Sequence, residues 1–439
     1  MCLALLSMAL LAGCSQSGRS GATDNGDGGN TGDGEHDGAP SFAFDLTSGP
    51  GGDLASCDNG ATLSGKVFAP NGLDPVPGAT VYIPADPVAP FAATVTCDLC
   101  DKVPPAITKT TSATDGSFSL AGVPDGDVVV VIQLGRFRRV LHFQVMPCEQ
   151  RAVPARFTRL PTKNGELDPG DHIPRIAVAT GDYDQIECVL KRMGIAQLDL
   201  YDDRGGVNNP PALGSFDSLL SDPKKMLGYD VLFVNCTNNE FESSLGRKAV
   251  LDNLTAYAAA GGRLYLTDWA YDLVEQVPAF APYMCFEPQR GGNLMCGPAP
   301  QTAMNADSNS PYSNKALIKD ARLADWLALF PNVIDGQKRV SVDFSFVVVD
   351  EVANDPKAYP TTVWVEGDTA QFGVKPMTVT FEYNQCGRLH YSTYNTEPNG
   401  VVPENGRYPN NCKPAFSPQE RILEYLVFEI ASCINTSRP

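Results

Sequence analysis

The sequence predicts a multidomain chain, an all-β sandwich followed by an α/β open parallel sheet that carries an insertion. Three observations predict it. Residues 57–160 hold short β-branched runs divided by Gly, Pro and Asn turns. From residue 174, apolar strand runs alternate with segments whose apolar residues fall at helical spacing. Between about 274 and 360 that alternation lapses and then returns, which places an insertion inside the second domain.

The first segment is not part of either domain. Leu3–Ala12 is an apolar, uncharged run too short to span a bilayer as a helix, which takes about 20 residues. It suits the apolar core of a signal peptide, although no Lys or Arg precedes it. Leu11-Ala12-Gly13-Cys14 follows and resembles the lipobox of bacterial lipoproteins. The resemblance implies a signal peptide over 1–13, lipidation of Cys14, and a mature protein anchored in the cell envelope, at the outer membrane because Ser15 and not Asp follows the cysteine. Two or three acyl chains hold stably where one is marginal. Residues 14–56 then read as the lipidated cysteine and a disordered Gly- and Asp-rich tether, with seven acids against Arg19.

The chain has 33 basic and 51 acidic residues, a formal charge of −18. That excludes nucleic acid as a partner, which needs a basic footprint. The partners this leaves are the membrane through the lipid anchor, and a glycan or an envelope protein. No cofactor or metal site is legible: Asp24–Gly29 has glycines where a calcium loop needs oxygen side chains.

In the sandwich, strands are expected at 62–69, 79–83, 107–112, 117–120, 127–133, 138–145 and 152–158, with turns at Pro70-Asn71-Gly72, Asp115-Gly116 and Pro124-Asp125-Gly126. The runs Gly65-Lys66-Val67, Val76-Pro77-Gly78-Ala79-Thr80-Val81, Thr114-Asp115-Gly116-Ser117-Phe118 and Val123-Pro124-Asp125-Gly126 resemble the carboxypeptidase regulatory-like family. The resemblance implies a transthyretin-like sandwich acting as a spacer or adhesive module, without catalytic residues.

Thirteen cysteines fit an oxidising compartment. With Cys2 and Cys14 set aside, eleven remain, so at least one thiol is free or pairs between chains. Cys97-Asp98-Leu99-Cys100 reads as a local disulfide, since a redox motif would open a helix and a zinc site would need a second pair. Cys57 with Cys148 would staple the ends of the sandwich, and Cys285 with Cys296 would be local to the insertion. Cys386, Cys412 and Cys433 have no partner legible from spacing, and Cys236, at a strand end, reads as buried or bonded.

Residues 161–173 are rich in Pro, Gly and charge and read as a linker. The α/β domain, 174–439, is expected to be flavodoxin-like. Its strands fall at 176–180, 197–201, 231–235 and 263–267, and after the insertion at 362–366, 377–383 and 388–394. Helices are expected at 183–193, 249–260 and, within the insertion, near 320–330. Ser417-Pro418-Gln419-Glu420 is a capping box that opens the last helix.

This domain resembles the class I glutamine amidotransferase-like group through Tyr229–Asn235, Leu254-Thr255-Ala256-Tyr257, Gly261-Gly262-Arg263-Leu264 and Ser392–Glu397. The resemblance implies a nucleophilic cysteine on a sharp turn after the fourth strand and a His-x-Glu near the end. Here the turn reads Thr267-Asp268-Trp269-Ala270-Tyr271-Asp272, and the later motif reads Asn395-Thr396-Glu397. Nucleophile and base are both missing, so thiol amidotransferase chemistry is not expected.

Ligands of open α/β sheets bind beyond the carboxyl ends of the strands. Those ends would gather Asp182, Tyr183, Asn235, Asn238, Asp268, Trp269, Tyr271, Asn395 and Glu397, a set of carboxylates, amides and aromatics suited to a glycan or small polar ligand. Three functions stay open. One is a non-catalytic lipoprotein that binds a glycan, a small polar ligand or an envelope protein. The second is a carboxylate-dependent hydrolase using Asp182, Asp268 or Glu397. The third is a purely structural surface protein, with Asp182 and Asp268 capping helices and Trp269 and Tyr271 packed under the insertion.

Overall fold

Alternating apolar residues build the amino-terminal half of the fold. A computed structural model of the chain describes residues 60–100, 104–181, 183–202, 213–237, 241–286, 307–353, 355, 357–369, 371–396, 408–410, 412 and 415–434. Its first strands are β1 (Ala61–Lys66), β2 (Thr80–Pro84), β3 (Ala106–Thr111), β4 (Ser117–Val123), β5 (Gly126–Leu134), β6 (Phe137–Val145) and β7 (Gln150–Ala152). They form two sheets, in the orders β4-β1-β7 and β3-β2-β5-β6. Leu63, Phe118 and Leu120 from the first sheet and Val81, Val130 and Ile132 from the second are buried in one cluster. The expected seventh strand, 152–158, is corrected. Pairing stops at Ala152, and Ala155–Thr158 is a helical turn after Pro154, which has no N–H to donate to a ladder.

The second half is built on a nine-stranded sheet. Its strands are β8 (Ile176–Thr180), β9 (Asp199–Asp202), β10 (Val231–Val234), β11 (Arg263–Thr267), β13 (Asp307–Ile318), β14 (Arg339–Val347), β16 (Thr361–Asp368), β17 (Val374–Tyr383) and β18 (Gly387–Ser392). A separate pair consists of β12 (Met284–Phe286) and β15 (Val349–Val352). The large sheet runs β14-β13-β16-β17-β18-β11-β10-β8-β9. From β9 to β18 the pairing is parallel. Taken in chain order, those five strands lie 2-1-3-4-5, the flavodoxin-like arrangement. β8, β10, β11 and β18 are buried along their whole length, which explains the near-continuous apolar runs of β8 and β10.

The expectation of a purely parallel sheet is corrected. β17, β16, β13 and β14 pair antiparallel beyond β18. β13 and β14 come from the stretch expected as an insertion, so that stretch supplies the sheet's far edge. Hydrophobic runs do not carry strand direction; that follows from the short hairpin connections.

Helices Ile186–Arg192, Lys248–Ala259 and Pro418–Ala431 cover the sheet near their expected positions. The Ser417 hydroxyl accepts from the Glu420 N–H, and the Glu420 carboxylate returns to the Ser417 N–H, completing the capping box. Helix Lys248–Ala259 ends at Gly261, whose φ is +104°. A Cβ there would lie 2.4 Å from the Thr96 carbonyl oxygen, so glycine serves both backbone and packing.

Residues 56–439 form one compact unit. The segment expected as a linker, 161–173, is clamped to β6. His172 pairs with Arg138 through both backbone bonds, and buried Arg139 meets Asp171 and, at 2.8 Å, Glu166. Arg136, in the β5–β6 turn, forms a 3.0 Å ion pair with Asp230 just before β10. The Trp326 indole donates to the Pro75 carbonyl at 2.8 Å.

Disulfides add further ties. Cys97 bonds Cys386, Cys100 bonds Cys433, and Cys188 bonds Cys412. The expected local Cys97–Cys100 pair is corrected. Leu99 bridges Ile434, the Cys100 N–H donates to the Ile434 carbonyl and the Ile434 N–H to the Asp98 carbonyl, which sets Cys100 beside Cys433, while Cys97 lies against the Gln385–Cys386 segment. Cys148 and Cys285 are disulfide-bonded, and their expected partners, Cys57 and Cys296, lie outside the described residues. Cys14 and the tether also lie outside them. Among the described residues Cys236 is the free cysteine, and it is buried.

Candidate functional site

The carboxyl ends of β8, β10, β11 and β18 converge where the order of the parallel strands reverses, the usual place for a ligand in this topology. After β11 the backbone turns sharply into a 3-10 turn, Asp268–Tyr271. Asp268 holds φ at +43°, a left-handed value that Asp tolerates better than most residues. Its side chain goes inward and is 1% exposed. One carboxyl oxygen accepts from the Val347 N–H at 3.2 Å, and the other lies 3.7 Å from the Cys236 sulfur. Burial holds the Asp268 pKa well above the ordinary carboxylate range. The Tyr391 hydroxyl donates to the Asp268 carbonyl at 2.8 Å and fixes the turn.

Cys236 lies on the neighbouring strand end. Burial, and then the Asp268 charge, push its thiol up, away from the reactive thiolate. Its N–H donates to the Thr267 hydroxyl at 3.0 Å. That hydroxyl in turn donates to Asp184 at 2.7 Å. The other Asp184 oxygen accepts from the Gln185 N–H at 2.8 Å, the Thr396 N–H at 3.0 Å and the Thr396 hydroxyl. One buried carboxyl thus ties three strand ends together. Desolvation dominates these bonds, and its pKa is pushed up to about 6.

Asn235 is 1% exposed and joins the same network. Its amide oxygen accepts from the Ile186 N–H at 3.3 Å, and its nitrogen donates to the Asp184 carbonyl at 3.1 Å and to Glu187 at 2.8 Å. The gap between β8 and β10 is closed as well. A Cβ on Gly181 would lie 2.0 Å from the Cys236 carbonyl oxygen, and the Tyr183 N–H donates to that oxygen at 3.2 Å.

The structure therefore gathers Tyr183, Asn235 and Asp268, with the side chains of the last two turned inward. Tyr271 is buried against Phe286, with ring centroids 5.2 Å apart. Trp269 is half-buried against an apolar cluster. Asn395 is 1% exposed, and among the described residues neither polar atom of its side chain has a hydrogen-bond partner. Asp182, Asn238 and Glu397 lie outside the described residues. His390 sits inside the sheet, bonded through Nδ1 to the Thr380 hydroxyl and stacked on Tyr265. Burial, with Arg388 and Arg263 nearby, holds its pKa well below the ordinary value.

Sequence reasoning missed Asp184, Thr267 and Thr396. A signal was present for the first: Asp184-Gln185 directly precedes the apolar helix run, where an acid commonly satisfies backbone N–H groups. Among the described residues no group of three or more His, Cys, Asp or Glu could hold a metal ion.

No family model matches the chain, and no curated protein does. Solved structures do. A ThuA-like protein from Bacteroides uniformis is 12% identical, with a TM-score of 0.31, covering 57% of this chain and 89% of that one. A ThuA-like protein from Parabacteroides merdae is 10% identical, with a TM-score of 0.32, covering 60% and 92%. A β-galactosidase from Rahnella is 11% identical, with a TM-score of 0.29, covering 60% of this chain and 32% of its own. At TM-scores this low the likeness carries no argument.

Proposed function

We propose that this chain is an envelope lipoprotein whose folded body binds a glycan, a small polar ligand or an envelope protein without catalysis. In this reading the body combines a carboxypeptidase regulatory-like sandwich with a degenerate class I amidotransferase-like α/β domain. The observation that carries it is the closed switch point. The residue on the sharp turn after β11 is a buried Asp268 engaged by Val347 and Cys236, where a nucleophile would have to stand exposed. Three disulfides joining residues more than two hundred positions apart support an oxidising compartment. No helix among the described residues is long and apolar enough to cross a membrane, so attachment in this reading falls to Cys14.

Two measurements test it. Labelled palmitate should enter the wild-type protein and not the Cys14→Ala variant, which should leave the membrane fraction; a firmly membrane-bound variant would overturn the anchor. Esterase, amidase and glycosidase assays should give no turnover. Any turnover abolished by Asp268→Ala or Glu397→Ala would replace this reading with the hydrolase.

A further inference from the structure

A concave surface lies at the opposite end of the parallel strands. It is an open groove of about 640 Å³ at the amino ends of β8, β9 and β10. That volume falls within the range of small-ligand sites, about 300–1,000 Å³. Its charge runs against the rest of the molecule. The chain carries −18, whereas the groove is lined by Arg175, Lys224 and Lys225 against one carboxylate, Asp199. Arg175 is held by Asp230 through two contacts, at 3.1 and 2.7 Å. Among the described residues the two lysines have no carboxylate partner. Lys225 instead places its ammonium 5.4 Å from the Tyr201 ring centroid.

The lining offers neutral donors as well. The Asn164 amide oxygen accepts from the Ile173 N–H at 2.8 Å, and the Gln197 amide oxygen accepts from the Asn164 N–H at 2.9 Å. Each oxygen accepts one backbone N–H, which orients the two amides, and among the described residues their NH₂ groups have no acceptor. Half-buried Leu198 gives the lining an apolar patch, with Ile173 and Tyr229 buried behind it. The Tyr229 hydroxyl is spent on Asp199 at 2.8 Å. Asp199 is the one carboxylate among the lining residues.

We propose that this groove is a binding site for an acidic saccharide, a chain of uronic acid units. The lysines would meet its carboxylates, the two amides and Asp199 its hydroxyls, and Leu198 the C–H face of a ring. A compact anion without hydroxyls would have nothing to donate to the Asp199 carboxylate, which a sugar hydroxyl can meet. The inference rests on the non-catalytic binding reading above and moves its ligand from the closed crevice to the other end of the sheet.

The test is calorimetric titration of the secreted, disulfide-bonded chain with digalacturonate, lactose and citrate. Digalacturonate should bind saturably, more weakly as salt rises, and neither lactose nor citrate should match it. Lys224→Glu with Lys225→Glu should weaken it roughly tenfold or more, because attraction becomes repulsion. Gln197→Ala should weaken it less. Lys109→Glu with Lys357→Glu, the same change of charge on exposed residues elsewhere, should leave binding unchanged. Absence of digalacturonate binding, equal binding of citrate, or equal loss in the charge-matched control would overturn the proposal. Cleavage of the sugar, read by mass spectrometry, would overturn the non-catalytic reading while leaving the groove assignment standing.

Discussion

The Asp268 carboxyl lies 3.7 Å from the Cys236 sulfur, joining the ends of two adjacent parallel strands in the interior. Both groups are driven toward their neutral forms by burial. Cys236 in the native protein should therefore react negligibly with a thiol reagent at neutral pH, and unfolding without reductant should make its thiol reactive. Asp268→Ala leaves the Val347 N–H without its acceptor, at a cost of about 1–3 kcal/mol, and should speed native labelling of Cys236. Rapid labelling of the wild-type chain would show that the strand ends are open.

Asp184 gives stability a defined pH dependence. Its carboxyl titrates near 6 in the folded chain against 3.8 for a free one. Below both values it is protonated in either state. Between them the folded state holds the extra proton, so its contribution to stability falls as pH rises, and the loss is complete above about 6. The difference corresponds to about 3 kcal/mol. Asp184→Asn mimics the protonated acid. Denaturant titrations from pH 4 to 7 should move in favour of the variant by about that amount, and a constant difference would refute the assignment.

Disulfide mapping discriminates sharply between the spacing argument and the fold. Non-reducing digestion should link the peptide containing Cys97 to Cys386 and the one containing Cys100 to Cys433, with no Cys97–Cys100 bond. Removing Cys100 and Cys433 together should lower stability by about 2–5 kcal/mol.

Arg139 is fully buried, and Asp171 and Glu166 both meet its guanidinium. Arg139→Met strands Asp171 beside β6, whereas Asp171→Asn keeps most hydrogen bonds and weakens the charge match. The first should cost about 3–5 kcal/mol and the second less, read from chemical denaturation. A near-neutral Arg139→Met would show that segment 161–173 is a loose linker.

The sequence by itself determined the local pieces. Period-two runs marked most strands of the sandwich, and apolar stretches marked β8, β10 and β11. Ser417 to Glu420 announced its own helix. These are signals within a few residues, set by backbone geometry and the side chains beside it. The absence of a cysteine at Asp268 and of a histidine at Asn395 was equally legible. Only the tertiary structure decided what those pieces became. Strand direction in β16 and β17 and the recruitment of β13 and β14 to the sheet edge depend on pairing between strands tens of residues apart, and the partners of Cys97 and Cys100 on contacts about three hundred residues apart. Whether the carboxyl ends of the strands formed a cleft was also a tertiary matter. Gly181 lets one strand end close onto the Cys236 carbonyl, and Asp184 and Asp268 turn inward to satisfy backbone groups that burial would otherwise leave unpaired. The same residues could have lined an open pocket, and packing chose between the two.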